Sequence, residues 1–525
     1  MTRHLRITGA AFACVAVLAH AHSARATGFD EYGQDLEAPP SIFDLSGHLR
    51  VRAGLHDNFD LDRGPTPSGQ VLYPVSIAEP QRQIFPVADL RLRTDLAIYA
   101  PDGGAAVKVR IDSLDNLALG GAPDGVPQGS VSQRSDAAIA VKRAYGEVLT
   151  PFGLLSAGRM GNEWGLGILA NGGDGTDNDS GDAADRIAFV VPTLSHLFAI
   201  AYDFSATGPF VPDRTGKRVI GFEPSAAVHT VTFAALHYRG PDARARRNRA
   251  DKLTPEWGAY VSHRWQENDV PATYLPVAAS FAGDTGVVPR GYTASAFDVW
   301  LRLEGKYFRV EAEGAFITAA IEQASLVPGV RFREPITSNQ FGGAIEAEVG
   351  DAANRFRGGF DLIAATGDAA PGFGAFPDAN APVPQLGDLD GAQANPPFDN
   401  SVDNFRFHPD YRVDRILFRE IVGTVTDAVI LRPRMRVDPW VTSVGKLRLQ
   451  LAGIASFAMN ASSTPGLASP LGFEIDPTVS WLSDVGFEAH LEQATLFPLE
   501  GLSNPALGLD GTPAQLWRVR LVYGF

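Results

Sequence analysis

The chain has 525 residues, a formal net charge of −15, 54 glycines and 10% aromatic residues. This acidic balance lacks the basic excess typical of nucleic-acid binding, so we expect no nucleic-acid partner. No segment approaches the roughly 18 consecutive apolar residues of a membrane-spanning helix. The only cysteine, Cys14, lies in an apolar run at the amino end, so the rest of the chain forms no disulfides.

The amino end has the three parts of a secretory signal. A short charged region at residues 3–6 precedes an apolar run at 10–19, and Ala24-Arg25-Ala26 forms a small-x-small cleavage site. We therefore predict a signal peptide at 1–26, cleaved after Ala26. Its presence predicts an exported protein.

After an acidic, proline-bearing stretch at 27–45, predicted to be a short periplasmic lead-in, apolar and polar residues alternate in strand after strand. A period of two is typical of strands with one apolar face. The clearest hairpin pairs Leu90–Ile98 with Val107–Ile111 across the turn Pro101–Gly104. We count about 18 strands (16 to 20), joined alternately by short turns and long polar loops. The sequence predicts an all-β fold, a single transmembrane antiparallel β-barrel over 46–525 with long extracellular loops. The alternative is a large soluble β-protein.

The last ten residues carry the clearest strand pattern. Aromatic or apolar residues occupy every second position, at Trp517, Val519, Leu521, Tyr523 and Phe525. This ending resembles the closing strand of bacterial outer-membrane β-barrels, which pairs with the first strand and removes the sheet edge. The resemblance implies outer-membrane lipid as a partner, and also the barrel-assembly machinery, through the strand that ends at Phe525. A buried strand at the end of a soluble sandwich is the alternative.

If the apolar face meets lipid, the alternate residues line the interior, because an Arg or Lys facing lipid near the midplane would cost about 2–4 kcal/mol. Inward arginines are predicted at Arg91, Arg93, Arg110, Arg302, Arg309, Arg357, Arg434, Arg436, Arg448, Arg518 and Arg520. Carboxylates share that face at Asp95, Asp112, Glu304, Glu311, Glu313, Glu346, Glu348, Glu474, Glu488 and Glu492. One interpretation is an arginine-lined pathway for anionic or polar solutes, and the other is a wide lumen filled by charge pairs. The number of charges favours a water-filled pore, since a dry interior would make them costly.

The stretch 171–182 concentrates carboxylates on a glycine-rich backbone. Asp174, Asp177, Asp179 and Asp182 are candidate oxygen ligands for Ca²⁺. The spacing is not that of an EF-hand, because the glycine and the terminal glutamate are misplaced. A solvated acidic extracellular loop is the alternative, and no other cofactor is expected.

Three further features are interpreted from composition. The stretch Gly367–Pro409 is rich in Pro, Gly and Asp and cannot build a core of its own, so it is a candidate either to fold into the lumen or to project outside. The basic run Arg244–Lys252 is predicted to be a loop. Interfacial or wall positions are predicted for the tryptophans Trp257, Trp265, Trp300, Trp440, Trp481 and Trp517.

Catalytic motifs such as Gly-x-Ser-x-Gly and His-Glu-x-x-His are absent from the sequence, so we do not expect an enzyme. Histidines are scattered along the chain, and a barrel-borne hydrolase assembled from distant strands remains a less favoured alternative.

Three groups of residues carry a family resemblance. The first is Ser46–Arg52 with Asn58–Leu61; the second is Gly158–Met160 with Trp164–Gly167, Asn171–Gly173, Gly181–Asp182 and Asp185-Arg186; the third is Phe407–Tyr411 with Ile416–Arg419 and Gly423–Ala428. They resemble a family of outer-membrane β-barrel proteins from myxobacteria and their relatives. The third group is also distantly similar to alginate-export-type porins, whose lumens are arginine-rich. The resemblance implies the fold and an outer-membrane location but no activity.

We therefore expect a porin-like channel in the cell outer membrane that passes small polar or anionic solutes through an arginine-rich lumen. The alternative is a closed outer-membrane barrel that acts as a surface binding or structural protein, its lumen plugged by the stretch 367–409. The identity of the solute, gating and the oligomeric state are left open by the sequence.

Overall fold

The computed structural model describes residues 29, 41–75, 83–119, 139–205, 224–269, 288–324, 332–350, 355–374, 384–389, 391, 393–396 and 398–525. The predicted signal peptide at 1–26 lies outside the described residues. The strands are β1 (Phe43–Asp57), β2 (Ile84–Tyr99), β3 (Ala105–Ala118), β4 (Ile139–Thr150), β5 (Gly153–Gly161), β6 (Ala183–Thr193), β7 (His196–Ser205), β8 (Val228–His237), β9 (Thr254–Asp269), β10 (Val288–Glu304), β11 (Phe308–Ile321), β12 (Ile336–Val349), β13 (Phe356–Ala365), β14 (Ala428–Thr442), β15 (Gly445–Ala458), β16 (Pro470–Ser483), β17 (Phe487–Pro498) and β18 (Ala514–Gly524).

These strands form one closed antiparallel barrel. Each strand pairs with its neighbours in sequence, and β1 also pairs with β18, from His48 opposite Gly524 to Asp57 opposite Gln515. A sheet closed in this way leaves no unpaired edge. The predicted single antiparallel barrel of about 18 strands is confirmed. Its first strand begins at Phe43, slightly before the predicted start at residue 46.

The two ends of the barrel differ. Short connections, such as Pro101–Gly104 between β2 and β3, gather at the end where Phe525 lies, which we call the short-turn end. Long connections gather at the opposite, long-loop end. The longest connection at the short-turn end contains helix α1 (Pro241–Arg249), which corrects the loop predicted at 244–252. Proline in the first turn and arginines in the last turn both favour a helix there. None of the described helices is long and apolar enough to cross a bilayer.

Exposure alternates along the strands, which separates an outer from an inner face. In β18, Trp517, Val519 and Tyr523 are exposed, whereas Arg518 and Arg520 between them are buried. Trp440 on β14 is also exposed, at 69%. Trp300 corrects the set of predicted wall tryptophans, because it is fully buried and alternates with the exposed Val299 and Leu301. The outer face is therefore a largely apolar belt.

Two connections, in the residues that the structure describes, fold inward and pack part of the interior. We call residues 162–182, between β5 and β6, the L3 segment, and residues 366–427, between β13 and β14, the L7 segment. The L7 segment supplies Phe405, Phe407, Ile416 and other apolar side chains to one buried cluster with the inner faces of β11–β18. The L3 segment contributes Trp164 to a second cluster with the inner faces of β2–β10. Part of the lumen predicted to be water-filled is therefore a packed apolar core.

The inner wall changes character along its strands. On β14, the buried Ala428 and Ile430 lie near the long-loop end, and Arg432, Arg434 and Arg436 follow toward the short-turn end. Strands β11–β18 share this order, so their charged inner surface lies in the short-turn half. Strands β6–β8 have the reverse order, with the polar residues Arg186, Asp203, Thr230 and Thr232 toward the long-loop end.

We predict that deletion of Phe525 reduces the yield of folded barrel several-fold. The backbone of Phe525 exchanges two hydrogen bonds with Gly47, each 3.0 Å long, and its ring lies 2.7 Å from where a Cβ on Gly47 would be. The deletion removes both contacts from the β1–β18 seam. Heat-modifiable migration on SDS gels and recovery in the outer-membrane fraction measure the yield.

Phe525→Tyr is the matched control, because it retains the backbone bonds and an aromatic ring. A deletion variant that assembles as well as the full chain would contradict the structural role assigned to this residue.

Candidate functional site

The L3 segment crosses the barrel from one wall to the other. Near its start, the Trp164 indole donates a hydrogen bond to Asp298 on β10 (3.0 Å) and packs against Tyr260 on β9. Farther along, the carbonyl of Gly173 accepts a bond from Arg93 on β2 (2.5 Å). These anchors lie on opposite sides of the ring of strands, so the segment spans the interior.

The L7 segment is anchored to the wall by backbone groups that donate to buried carboxylates. The amides of Arg415 and Ile416 donate to Glu474 on β16, at 2.9 and 3.0 Å. Asp414 accepts from the amides of Phe418 and Arg419 at the start of a π-helical turn (Leu417–Ile421). The first amides of such a turn have no internal partner, and the carboxylates supply one.

The two inward segments meet near the middle of the barrel. The Asp410 carboxylate accepts bonds from the amides of Asp179 (2.8 Å) and Ser180 (3.0 Å). The amide of His408 donates to the carbonyl of Ile168 (2.8 Å). Each segment therefore fixes the position of the other.

Two carboxylates of the L3 segment hold this junction, and we call them the carboxylate clamp (Asp177 and Asp179). Asp177 pairs with Arg419 at 2.6 Å, Arg518 at 3.3 Å, Arg52 at 3.3 Å and Arg520 at 3.6 Å. Asp179 pairs with Arg412 at 2.6 Å, Arg52 at 2.6 Å, Arg50 at 3.2 Å and Arg419 at 3.5 Å. The partners come from β1, β18 and the L7 segment, so the clamp joins three parts of the chain.

The charge of the clamp persists to low pH. Burial by itself would raise the pKa of Asp177, but Arg419, Arg518 and Arg520 outweigh it and hold that pKa well below its usual range. Burial opposes Arg412 and Arg52 in the same way at Asp179, whose pKa is also lowered. A carboxyl with a lowered folded-state pKa stabilises the fold above its ordinary pKa and loses that contribution as pH falls through the folded value. The clamp therefore holds throughout the neutral and mildly acidic range.

Beside the junction lies a cavity of about 310 Å³ in the short-turn half, against β12–β18. Nine arginines and five carboxylates line it, an excess of basic groups. The arginines are Arg357, Arg412, Arg415, Arg419, Arg432, Arg434, Arg436, Arg518 and Arg520, and the carboxylates are Asp177, Glu348, Asp414, Asp476 and Glu492. Closely spaced guanidinium groups at low dielectric attract anions strongly. We call this space the arginine cavity.

The predicted inward arginines separate into two sets. Those that line the arginine cavity are Arg357, Arg434, Arg436, Arg518 and Arg520. The others do not line it: Arg91, Arg93, Arg110, Arg302, Arg309 and Arg448. All of these except Arg91 pair with carboxylates. Arg91 and Arg93 are 0% and 3% exposed. Pore-lining roles for the eleven arginines stay a prediction.

Sequence reasoning missed the arginines of the L7 segment that complete the cavity. Arg412, Arg415 and Arg419 belong to a connection predicted to end at Pro409, whereas it continues to residue 427. A basic residue every three or four positions in a loop is the one signal that marks them. Arg432 on β14 was also missed, although it continues the alternation of Arg434 and Arg436.

Three of the four aspartates proposed as calcium ligands, Asp174, Asp177 and Asp179, pair with arginines. Asp174 pairs with Arg110 and with Arg143, the latter at 2.9 Å, and the clamp residues have the partners given above. Asp182 accepts a bond from the amide of Asn171 (3.4 Å). Across the described parts of the chain, no group of three or more His, Cys, Asp or Glu is arranged to hold a metal ion. Guanidinium groups neutralise three of these four carboxylates, and calcium binding stays a prediction.

Asp414 is the buried acid at the base of the L7 segment. Burial and the nearby Asp476 raise its pKa to about 7, although bonds from the amides of Phe418 and Arg419 oppose the shift. A carboxyl with a raised pKa binds a proton in the folded chain that it lacks when unfolded. Stability from this group is therefore greatest at acid pH and falls as pH rises toward and through about 7.

No protein-family model matches the chain, and no curated protein matches it. Among solved structures, it is similar to a BenF-like porin from Pseudomonas fluorescens Pf-5, with 9% identity over 92% of this chain and 98% of that chain and a TM-score of 0.45. It is also similar to OpdL from Pseudomonas aeruginosa, with 10% identity over 92% and 98% of the two chains and a TM-score of 0.46. For OpdK from Pseudomonas aeruginosa with vanillate, the identity is 11%, the coverage 92% and 98%, and the TM-score 0.42. The resemblance to the myxobacterial family stays a prediction.

We predict that Asp177→Asn loosens the L3 segment and destabilises the folded barrel by about 3–5 kcal/mol, because several buried guanidinium groups lose their common counter-charge. A Thr176→Cys reporter, in a chain that otherwise has only Cys14, should react faster with a maleimide in the Asp177→Asn background. Asp182→Asn is the control, since Asp182 belongs to the same segment but contacts no arginine among the described residues. Equal labelling rates in all backgrounds would contradict the clamp.

We predict that the unfolding temperature of the barrel falls between pH 5 and pH 8, and that Asp414→Asn makes this fall smaller. The asparagine keeps hydrogen-bond acceptance but cannot ionise as pH passes through about 7. Circular dichroism melts of the detergent-solubilised protein at both pH values measure the effect. Asp102→Asn, in an exposed turn, serves as the control. The same pH dependence in the chain and in Asp414→Asn would be the contrary outcome.

Proposed function

We propose that the chain is an outer-membrane channel that passes small anionic solutes through the arginine cavity. The observation that carries this proposal is the cavity itself, in which nine arginines face five carboxylates. An excess of fixed positive charge in a narrow, partly dehydrated space concentrates anions and repels cations.

The outer face supports the membrane location. Exposed apolar side chains alternate with inward polar ones around the barrel, as on β13 and β14, where Phe360 and Met435 are exposed beside the inward Asp361 and Arg434. Described strands have nine residues or more, and about 9–11 tilted residues suffice to cross the hydrocarbon core of a bilayer. A water-soluble protein would leave such a belt exposed to water at a large free-energy cost.

The arrangement of polar inner surfaces supports a bent route through the barrel. The polar inner surface of β6–β8 lies toward the long-loop end, and that of β11–β18 toward the short-turn end. The carboxylate clamp lies where the L3 and L7 segments meet, and its Asp177 lines the arginine cavity. A solute following this route would therefore meet the clamp inside the arginine cavity.

A second function, a closed barrel with a surface binding or structural role, is favoured by one observation. Both inward segments bury large apolar side chains, including Trp164, Phe405 and Phe407, in the interior. Such a core closes part of the lumen permanently. The two functions differ in whether the remaining charged route conducts ions.

We predict that the purified barrel conducts in planar bilayers with a preference for anions, and that Arg357→Gln with Arg436→Gln lowers the anion-to-cation permeability ratio several-fold. These two arginines can be removed with little disturbance of their neighbours. Glu348 retains Arg434 at 3.2 Å, and Asp438 retains Arg448 at 2.8 Å. The reversal potential in a potassium chloride gradient measures the ratio.

Arg159→Gln is the matched control, because Arg159 pairs with Asp185 on the outer face, and it should leave the ratio unchanged. A correctly folded barrel that never conducts would favour the closed-barrel function. Conduction without anion preference would overturn the proposed solute class while leaving a channel.

A further inference from the structure

Four basic side chains form a compact group on the inner face of β1 and β2. His48 lies directly opposite Arg93, and Arg50 directly opposite Arg91. Side chains opposite one another in antiparallel strands have Cβ atoms about 4.5–5.5 Å apart, and alternate residues share a face. We call these four residues the basic quartet.

Two members of the basic quartet have their counter-charges within the chain. Arg93 forms a bidentate pair with Asp112, with both bonds 2.7 Å long. Arg50 pairs with Asp89 at 3.0 Å and with Asp179 at 3.2 Å. These carboxylates are therefore engaged by other arginines.

Arg91 differs from every arginine around it. Its side chain is 0% exposed, and none of its three guanidinium nitrogens has a hydrogen-bond partner in the described structure. Two further buried nitrogens of the quartet are also unpaired, Nε of Arg50 and Nε2 of His48. The unpaired donors thus belong to adjacent positions on one face.

A buried guanidinium in this state is costly for two separate reasons. Each unpaired N–H loses the hydrogen bond that it had with water, and the charge itself loses its solvation. Arginine does not escape this cost by releasing its proton, because a guanidinium stays protonated at neutral pH. Water can satisfy the donors but leaves the charge unbalanced, whereas an anion does both.

We propose that the basic quartet binds one small inorganic anion, of the chloride or phosphate class, through Arg91 as the main ligand. Arg50 Nε and His48 Nε2 supply the neighbouring donors. The ion supplies the counter-charge that Arg91 lacks and so reduces the repulsion between Arg91 and Arg50 across the strands.

This site is separate from the proposed transport route. No member of the quartet lines the arginine cavity. The L3 segment covers the quartet, with carbonyls of Gly173 and Asn178 accepting bonds from Arg93 and Arg50. A covered ion of this kind serves as a structural component of the barrel, one that helps to hold the L3 segment against the β1–β2 wall.

The test compares thermal unfolding of the folded, detergent-purified barrel in sodium gluconate, sodium chloride and sodium phosphate at equal ionic strength and pH. Gluconate is too bulky for a fully covered site, so the small anions should raise the unfolding temperature by several degrees, since a ligand that binds only the folded state stabilises it. Arg91→Met removes the unbalanced charge. This variant should melt above the unmodified chain in gluconate and show no further gain in chloride or phosphate.

Arg309→Met is the matched control, because it removes an inward arginine that has carboxylate partners, Glu311 at 2.8 Å and Glu346 at 3.4 Å, and it should keep the anion-dependent shift. An unmodified chain with the same midpoint in all three salts, or an equal shift in Arg91→Met, would overturn the proposal.

If Arg91→Met does not fold, crystals of the unmodified chain grown in bromide decide the question. An anomalous peak within hydrogen-bonding distance of the Arg91 nitrogens supports the site. A map that shows the surrounding residues fully ordered but has no such peak refutes it. Neither measurement depends on conductance, so the test of the anion site remains valid even if the barrel is shown not to be a channel.

Discussion

The interior of this barrel depends on the pairing of Asp177 and Asp179 with the arginines around them. The wall can close through backbone hydrogen bonds alone, but arginines from β1, β18 and the L7 segment converge on one region and would repel one another without a shared counter-charge. The L3 segment carries that counter-charge across the lumen. Its position is therefore set by electrostatics at its tip and by apolar packing at Trp164 near its start. Because the two attachments lie on opposite walls, loss of either one would leave the segment hinged on the other.

The apolar clusters explain why a barrel with a wide ring of strands has a narrow polar route. Burial of Phe405, Phe407 and Ile416 removes apolar surface from water, and the inner faces of β11–β18 are apolar where the L7 segment covers them. Past that boundary these strands carry charged inner residues, such as Arg432, Arg434 and Arg436 on β14. The inner wall of β11–β18 and the L7 segment thus match along their length. Apolar residues of the wall pack against apolar residues of the segment, and charged residues of both line the arginine cavity. In the proposed channel, this match would restrict solutes to the charged sector, which is the physical basis of the proposed selectivity.

The strands of the barrel wall could be predicted from the sequence because the alternation of apolar and polar residues is a local pattern within each strand. Alternation along Trp517 to Tyr523 assigns both faces of β18 without knowledge of any other strand, and the strand count follows from repetition of that pattern. The same alternation also predicts the position of Trp300. Trp300 alternates with the exposed Val299 and Leu301, so the pattern assigns it to the inner face, where it is buried. The inward segments could not be read in this way. In sequence, a run of aspartates has the same pattern whether its partner is a calcium ion or a group of arginines from distant parts of the chain. The roles of Arg412, Arg415 and Arg419 become visible only in the structure, where β17 and β18 lie beside them. Partner identity in a loop is long-range information that no local pattern contains.

The charge of the whole chain and the charge of its interior have opposite signs, and only the second bears on the proposed solute. The net charge of −15 includes exposed carboxylates whose fields are screened by salt within about 10 Å. In the arginine cavity, surrounding protein excludes most of that screening, and nine guanidinium groups outnumber five carboxylates. An anion approaching from outside therefore meets a weakly repulsive, screened surface and then an attractive, poorly screened interior. Selectivity set in this way resides in a few cavity arginines. It should survive large changes in surface charge, provided that the carboxylate clamp continues to hold the L3 and L7 segments in place.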